Sequence, residues 1–465
     1  MIKSFWATAT GQQGARALHR AIASVTAMAV SLSLALPAYA QGRVAVVRDA
    51  EIETLVKDYA APVLKAAGLQ ASRVQIVLVN DPSFNAFVDG QRIFINTGAL
   101  SESAVPNEII GVIAHEAGHL AGGHQVRLRE QIALAKTLAI VGGLLGAGAV
   151  AAGSIAGNDG GAQGGAAVMA ATPSIVQRKL MSYRRSEEMN ADQAAARYLN
   201  ATGQSMQGML TTFKRFSQSL SLSGVQVDPY QVSHPLPRER IALLEELARK
   251  SKFFDARDPQ SLNNRHQLMR AKIAAYSGGA RAVAQMFSTD RGSLAARYGD
   301  AIATDLSGNS SAALKKLDAL IREQPKNPYF HEFRGEVLIK LRKTDEAIKA
   351  FNQAIKLDRS KSPLIRARHG FALVASGKQS NMKRAIEELR VAIQAEPDNF
   401  TAYRHLSQAY GLNGDIANAE LIMAEGNFRA GNARDAKVFA ARALQKLPKG
   451  SPGALRANDI LTIGK

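Results

Sequence analysis

The sequence of 465 residues predicts two folds in series: an α+β domain with a small sheet and one buried helix, then an all-α solenoid of helical repeats. Strand and hairpin patterns precede an apolar helical stretch, Ile113–His119, that carries two histidines four residues apart. From about Gly292 onward, helix pairs recur at a period of roughly 35 residues. The length also exceeds that of one ordinary domain.

We expect four segments along the chain. Residues 1–40 form a signal peptide, 41–250 the α+β domain, 251–291 linker helices and 292–465 the repeat domain.

The N-terminus has the pattern of a secretory signal. Lys3, Arg16 and Arg20 precede an apolar run at 21–36, and an A-x-A site at 38–40 follows. Cleavage after Ala40 and export to the periplasm are expected, with a membrane anchor as the alternative.

Charge and cysteine content narrow the possible functions. Cleavage at this site lowers the net charge from +19 to +16, which suits an anionic lipid surface or an acidic partner. Nucleic acid is not expected as a partner, because the basic residues are scattered and the protein is exported. The absence of cysteine excludes disulfides and Cys-ligated zinc.

The elements of the first domain follow from local patterns. Apolar spacing predicts a helix over 49–67, and the run 74–79 predicts a strand. Two further runs, 84–88 and 92–96, flank an Asp-Gly turn and predict a β-hairpin. The next helix has Ser103 as a candidate N-cap, Pro106 in its first turn and Glu108 near its N-terminus.

The C-terminal pattern predicts tetratricopeptide-like repeats. Three units open at Asn327, Ser362 and Asp398, and a weaker unit spans about 292–325. Small residues, such as Gly335 and Gly370, stand where helices would cross. An unrelated helical bundle is the alternative.

Residues 132–171 are rich in Ala and Gly. We interpret them as a mobile lid or as two helices that touch a membrane. A true membrane span and a plain buried hairpin remain alternatives, because Lys136 and the many glycines interrupt the apolar run.

The motif His115-Glu116-Ala117-Gly118-His119 is H-E-x-x-H on a helix. Its two histidines lie on one helix face and can bind one Zn²⁺. Glu116 can then take the proton of a metal-bound water. The alternative is two histidines on an ordinary amphipathic helix.

The spacing leaves the third ligand open. His124 comes one position too early for the H-E-x-x-H-x-x-G-x-x-H pattern, so we interpret it as structural or solvent-facing. Glu188 is the better candidate, and Asp192, one turn later on the same face, could fix a histidine tautomer. The alternative is that both belong to a solvated helix face.

The combination of H-E-x-x-H with a later E-x-x-A-D resembles the HtpX and CAAX-prenyl-protease type of gluzincin. The resemblance extends to 85–87, 95–98, 234–235 and 240–241. It implies a gluzincin-type fold and one Zn²⁺ per chain on His115, His119 and Glu188. Glu116 and Asp192 would be the catalytic acidic residues.

The resemblance and the local residues suggest further roles. A substrate-edge strand is implied at Asn85, Ala86 and Phe87, where an extended peptide could pair. His234 could be a fourth zinc ligand that plugs the site, an oxyanion or substrate contact, or a structural turn residue. Arg240 could bind substrate or pair with an acidic neighbour.

The whole arrangement is similar to periplasmic zinc metalloproteases with repeats that act in outer-membrane protein quality control. It implies hydrolysis of peptide bonds in unfolded or misassembled envelope proteins. The repeats would hold a client or dock on the outer-membrane β-barrel assembly machinery, with possible peripheral membrane contact. A chaperone-like scaffold with an idle or plugged metal site and a membrane-embedded peptidase remain alternatives.

Overall fold

The computed structural model describes residues 45–156, 159–222, 234 and 238–462. The expected signal peptide lies outside the described residues, as do the residues on both sides of His234. The chain divides into two compact units. The first contains residues up to Val46 and 59–258, and the second contains 47–58 and 259–465.

The first unit is built on a four-stranded sheet of order β1-β2-β4-β3. The strands are β1 (Val46–Val47), β2 (Gln75–Val79), β3 (Ala86–Asp89) and β4 (Arg92–Asn96). β2 runs parallel to β4, and β3 runs antiparallel to it. The predicted hairpin is confirmed, with Gly90 at φ +61° in its turn. β3 is therefore an edge strand.

Helices surround this sheet. They are α1 (Ala50–Ala66, of which residues from Tyr59 onward belong to this unit), α2 (Thr97–Glu102), α3 (Pro106–Gly122), α4 (His124–Ile155), α5 (Asp159–Ala201), α6 (Gln207–Leu222) and α7 (Arg238–Lys250).

Helix α3 begins with Pro106 at its first position, as predicted. Ser103 does not cap it, which corrects our expectation, because its hydroxyl donates to the Ala99 carbonyl instead. Gly123, at φ +65°, ends the helix in the left-handed conformation that glycine adopts without strain. The chain then turns directly into α4.

The Ala- and Gly-rich segment 132–171 falls within α4 and α5. These two helices pack antiparallel, since Gly146 of α4 lies against Gly165 of α5. Among the described residues, α4 is the one helix that is long and apolar enough to cross a membrane.

The second unit is helical. Its helices are α8 (Gln260–Met286), α9 (Leu294–Leu306), α10 (Ser310–Glu323), α11 (Pro328–Lys340), α12 (Thr344–Leu357), α13 (Pro363–Ala375), α14 (Gln379–Ala395), α15 (Phe400–Leu412), α16 (Ile416–Arg429), α17 (Ala433–Lys446) and α18 (Pro452–Thr462).

The pairs from α9 to α18 begin at residues 294, 328, 363, 400 and 433, close to the predicted period. Within them, Gly335 faces the Phe351 ring and Gly370 faces Leu389, so small residues do stand at helix crossings. The segment 251–291, expected to form linker helices, contains helix α8. Leu268 and Ala271 of α8 lie in the core of this unit, because α8 packs against α9.

Candidate metal centre

His115 and His119 lie one turn apart on α3, whose residues 106–119 are all buried. A helix held on all sides has few alternative side-chain positions. The two Nε2 atoms lie 3.1 Å apart. The predicted pair of facing imidazoles is therefore present in the fold.

Helix α5 places Glu188 and Asp192 beside this pair. A Cβ atom at Gly118 would lie only 2.9 Å from the Ala191 carbonyl oxygen. A larger residue at position 118 would therefore keep the backbones of α3 and α5 further apart. Glu188 Oε2 lies 3.3 Å from His115 Nε2, and Glu188 Oε1 lies 3.4 Å from His119 Nε2.

His234 completes a buried group of four possible ligands. Its Nδ1 lies 3.2 Å from His115 Nε2 and 3.1 Å from Glu188 Oε2. The ligand atoms of His115, His119, Glu188 and His234 all lie within 4.8 Å of one another.

The donor set fits zinc. Bonds of 2.0–2.1 Å in a tetrahedron separate neighbouring ligand atoms by about 3.3 Å. The contacts named above range from 3.1 to 3.4 Å. Three imidazoles and one carboxylate are also ligand types that zinc prefers. The residues present therefore suit a Zn²⁺ site.

Asp192 and Arg240 form a second layer behind His115. Asp192 Oδ1 lies 3.0 Å from His115 Nδ1, which leaves Nε2 facing the other ligands. Arg240 donates from Nε and from its second terminal nitrogen to Asp192, at 2.7 and 2.8 Å. Its remaining terminal nitrogen lies 3.1 Å from Glu188 Oε2. The buried guanidinium of Arg240 thus pairs with acidic neighbours, which is the second of the two roles considered for this residue.

Of the two interpretations of His124, structural or solvent-facing, the fold excludes the second, because it buries this side chain against the site. Its Nδ1 lies 2.8 Å from His119 Nδ1, and its Nε2 lies 3.0 Å from Glu187 Oε2. Arg127 in turn donates to the same Glu187 oxygen, at 2.7 Å. The Gly122-Gly123 pair is the sequence signal that indicates this position of His124, since a sharp turn at these glycines brings a nearby histidine back to the helix end.

The general-base candidate, Glu116, is fully buried next to the cluster. Within the described part of the chain, neither of its oxygens has a hydrogen-bond partner. Its Oε1 lies 3.4 Å from His234 Nε2. Burial raises the pKa of this carboxyl group, and the neighbouring Glu188 carboxylate adds to that increase. Such a buried group without a hydrogen bond is free to accept a proton from a water at the site.

The electrostatics of the cluster favour a cation. Burial opposes charge on His115, but hydrogen bonds to Asp192 and Glu188 outweigh it and raise its pKa to about 9. Burial lowers the pKa of His119 to about 3. Burial also disfavours the charged form of Glu188, but His234 and hydrogen bonds hold its pKa well below the usual value. The site thus keeps its carboxylate ionised, the form that binds metal.

The edge strand β3 lies next to the candidate metal centre. The Ala86 carbonyl oxygen lies 3.3 Å from His234 Nε2. The Asn85 carbonyl accepts from the Asn96 amide of β4, so Ala86 presents its carbonyl to the opposite, outer side. Phe87 stacks on Phe94 of β4. His234 therefore contacts the cluster and the strand edge together.

Comparison with known proteins agrees with both parts of the chain. Residues 47–248 match the family described as Peptidase family M48, and residues 307–362 match a tetratricopeptide repeat. The first match covers the part of the chain that contains the small mixed sheet, and the second lies in the helical repeat region.

Several relatives bear the name Beta-barrel assembly-enhancing protease. The Escherichia coli (strain K12) protein is 23% identical over 287 residues, which cover 60% of this chain and 56% of the relative. The Yersinia pestis protein is 22% identical over 75% of this chain and 71% of its own length. This chain therefore spans little more than half of the E. coli relative. A solved repeat protein, YrrB, is 16% identical over 38% of this chain and 91% of its own, with a TM-score of 0.31.

Proposed function

We propose that this chain, whose residues 47–248 match peptidase family M48 and whose residues 307–362 match a tetratricopeptide repeat, is a zinc-dependent endopeptidase. The observation that carries the proposal is the group His115, His119 and Glu188 beside the buried Glu116. The first three side chains suit a metal ion, and Glu116 suits a general base. Hydrolysis of an amide at a metal centre needs both.

His115, His119 and Glu188 would hold the metal. When bound, Zn²⁺ supplies Lewis-acid chemistry, which lowers the pKa of water towards 7 and polarises a carbonyl group. Asp192 and Arg240 orient His115, and His124 with Glu187 orients His119. These outer contacts hold the ligand rings in place before substrate arrives.

Glu116 moves the protons of the reaction. Its carboxylate accepts a proton from the attacking water and passes it to the leaving amine. Its buried position keeps bulk water away from that proton. The raised pKa makes the carboxylate a stronger base, which suits the first step, in which it accepts the proton.

His234 would act as a plug that closes the site. Its imidazole would supply the fourth ligand, and it also lies 3.3 Å from the outward carbonyl oxygen of Ala86. Substrate has to replace both contacts. In the open state the same side chain could instead meet the oxyanion, and the two roles predict opposite effects of removing it.

The substrates would be extended segments of unfolded or misassembled proteins. An edge strand recognises a peptide through its backbone, with limited side-chain selectivity. The relatives' name supports envelope proteins, and outer-membrane proteins in particular, as the clients. The repeats would hold a client or dock on the β-barrel assembly machinery. The signal-like N-terminus supports a periplasmic location.

The test is cleavage of casein, an unfolded substrate, by purified residues 41–465, with zinc measured in the same samples. Glu116→Gln is expected to reduce cleavage by about 10²–10⁴-fold while one zinc per chain remains bound. Glu130→Gln changes an exposed carboxylate on α4 and should have no effect. Equal cleavage by wild type and Glu116→Gln would exclude the proposed mechanism.

A second function has one observation in its favour. His234 completes the ligand set, so the described site is closed. A scaffold whose metal only stabilises the fold would look the same. Such a protein would bind zinc but leave casein intact, even when His234 is replaced by alanine.

A further inference from the structure

The hairpin formed by α4 and α5 has two arms without charge. Residues 137–155 of α4 contain no charged side chain, and neither do residues 160–177 of α5. At 1.5 Å per residue these arms are about 28 and 27 Å long. The hydrocarbon layer of a bilayer is about 30 Å thick. Both arms thus have the length that this layer requires.

The arms expose several large aliphatic side chains. Leu144 and Leu145 are 59% and 68% exposed, and Ile140 and Ile175 are more than half exposed. Large apolar surface of this kind on a soluble helix pair is unfavourable in water. A lipid environment removes that cost.

The contact between the arms is of the type found between helices in lipid. A Cβ atom at Gly146 would lie 2.8 Å from the Gly165 carbonyl, and one at Gly165 would lie 2.6 Å from the Gly146 carbonyl. The two backbones therefore touch at these glycines. Close backbone packing through small residues stabilises helix pairs in a bilayer, where burial of apolar surface gives no net gain.

The base of the hairpin is basic. Residues 124–136 and 178–187 contain seven Lys and Arg against two acidic residues. The basic residues are Arg127, Arg129, Lys136, Arg178, Lys179, Arg184 and Arg185. Positive charge just outside an apolar segment matches the anionic headgroups of a membrane surface.

We propose that the α4–α5 hairpin inserts its uncharged arms into the hydrocarbon layer of an anionic membrane, with its basic base at the headgroups. Lys179 and Glu188 stand on the same helix, nine residues or about 14 Å apart along its axis. The metal centre would then face the membrane surface at short range. This inference does not depend on whether the centre hydrolyses peptides.

The absence of cysteine makes a direct test possible. Leu145→Cys would carry an environment-sensitive fluorophore, and Leu455→Cys, 59% exposed on α18, would carry it in the control. Vesicles would contain phosphatidylethanolamine and phosphatidylglycerol at 3:1. We expect a blue-shifted emission and quenching by lipids labelled at the bilayer centre for position 145 alone. Emission as in water, or quenching only by headgroup labels, would overturn the proposal.

A binding experiment tests the same surface. Leu144→Lys with Leu145→Lys should lower the vesicle-bound fraction about tenfold or more, because charge in a membrane helix is costly. Leu455→Lys should not change it. Thermal unfolding and zinc content must match the wild type, which shows that the fold is intact. The proposal would also be overturned if the double variant bound vesicles as well as the wild type does. Binding of unfolded casein by the arms, without vesicle binding, would overturn it too.

Discussion

His234 Nδ1 lies 3.1 Å from Glu188 Oε2, although the two residues are 46 positions apart in the sequence. The same imidazole lies 3.3 Å from the Ala86 carbonyl through its other nitrogen. One side chain therefore contacts the candidate metal centre and the outer edge of β3. Release of this residue would open both at once.

Removal of the imidazole should raise proteolysis. If the closed state accounts for nine-tenths of the molecules, His234→Ala increases casein cleavage by up to about tenfold. Zinc content should persist, because three protein ligands remain. Initial rates and metal analysis would be measured together. A fall in rate, with zinc unchanged, would favour the oxyanion role over the plug.

His124 should control how tightly zinc is held. His124→Leu removes the contact with His119 Nδ1 and should weaken zinc affinity by about 10–100-fold. His124→Asn keeps a polar atom near that position and should weaken it less. Competition with a chromophoric chelator measures both affinities. Identical affinities in the two variants would limit His124 to packing.

The edge strand should bind substrate through its backbone. Val88 follows Ala86 by two residues, so its amide also faces outward. Val88→Pro removes this donor and should lower kcat/KM for casein by about tenfold, the value of one hydrogen bond. Val88→Thr preserves the backbone and serves as the control. Equal losses in the two variants would show that the side chain, and not the amide, matters.

The second unit contains a buried ion cluster whose removal should destabilise it. Lys272 Nζ lies 2.9 Å from both Asp49 Oδ2 and Glu51 Oε2. Lys272→Met leaves two buried carboxylates without their ammonium partner and should cost about 3–5 kcal/mol in the free energy of unfolding. Lys316→Met removes an exposed pair with Asp300 and should cost at most about 1 kcal/mol.

The loss in the free energy of unfolding caused by Lys272→Met should depend on pH. Burial favours the neutral form of Asp49, but Lys272 outweighs it and lowers the pKa of Asp49 in the wild type. Without the ammonium the pKa of Asp49 rises, so the folded variant takes up a proton at a higher pH than the folded wild type does. The deficit should therefore shrink as the pH falls from 7 to about 4. Urea unfolding at several pH values measures it, and a constant deficit would contradict this account.

Much of this architecture could be predicted because its signals are local. The spacing of His115 and His119 places both on one helix face, whatever the rest of the fold does. The β-hairpin follows from two alternating runs around an Asp-Gly turn, and the repeats follow from their period. Each of these depends on contacts within a few tens of residues.

The sequence by itself determined the helix that carries His115 and His119, the hairpin and the repeat array, since short-range geometry specifies them. Only the tertiary structure decided which distant side chains surround the histidines. Glu188 and Arg240 reach the site through the packing of α5 and α7, His234 joins them there, and the turn at Gly123 brings back His124. Spacing cannot predict such contacts, because they depend on how closely two helix backbones approach, as Gly118 allows here.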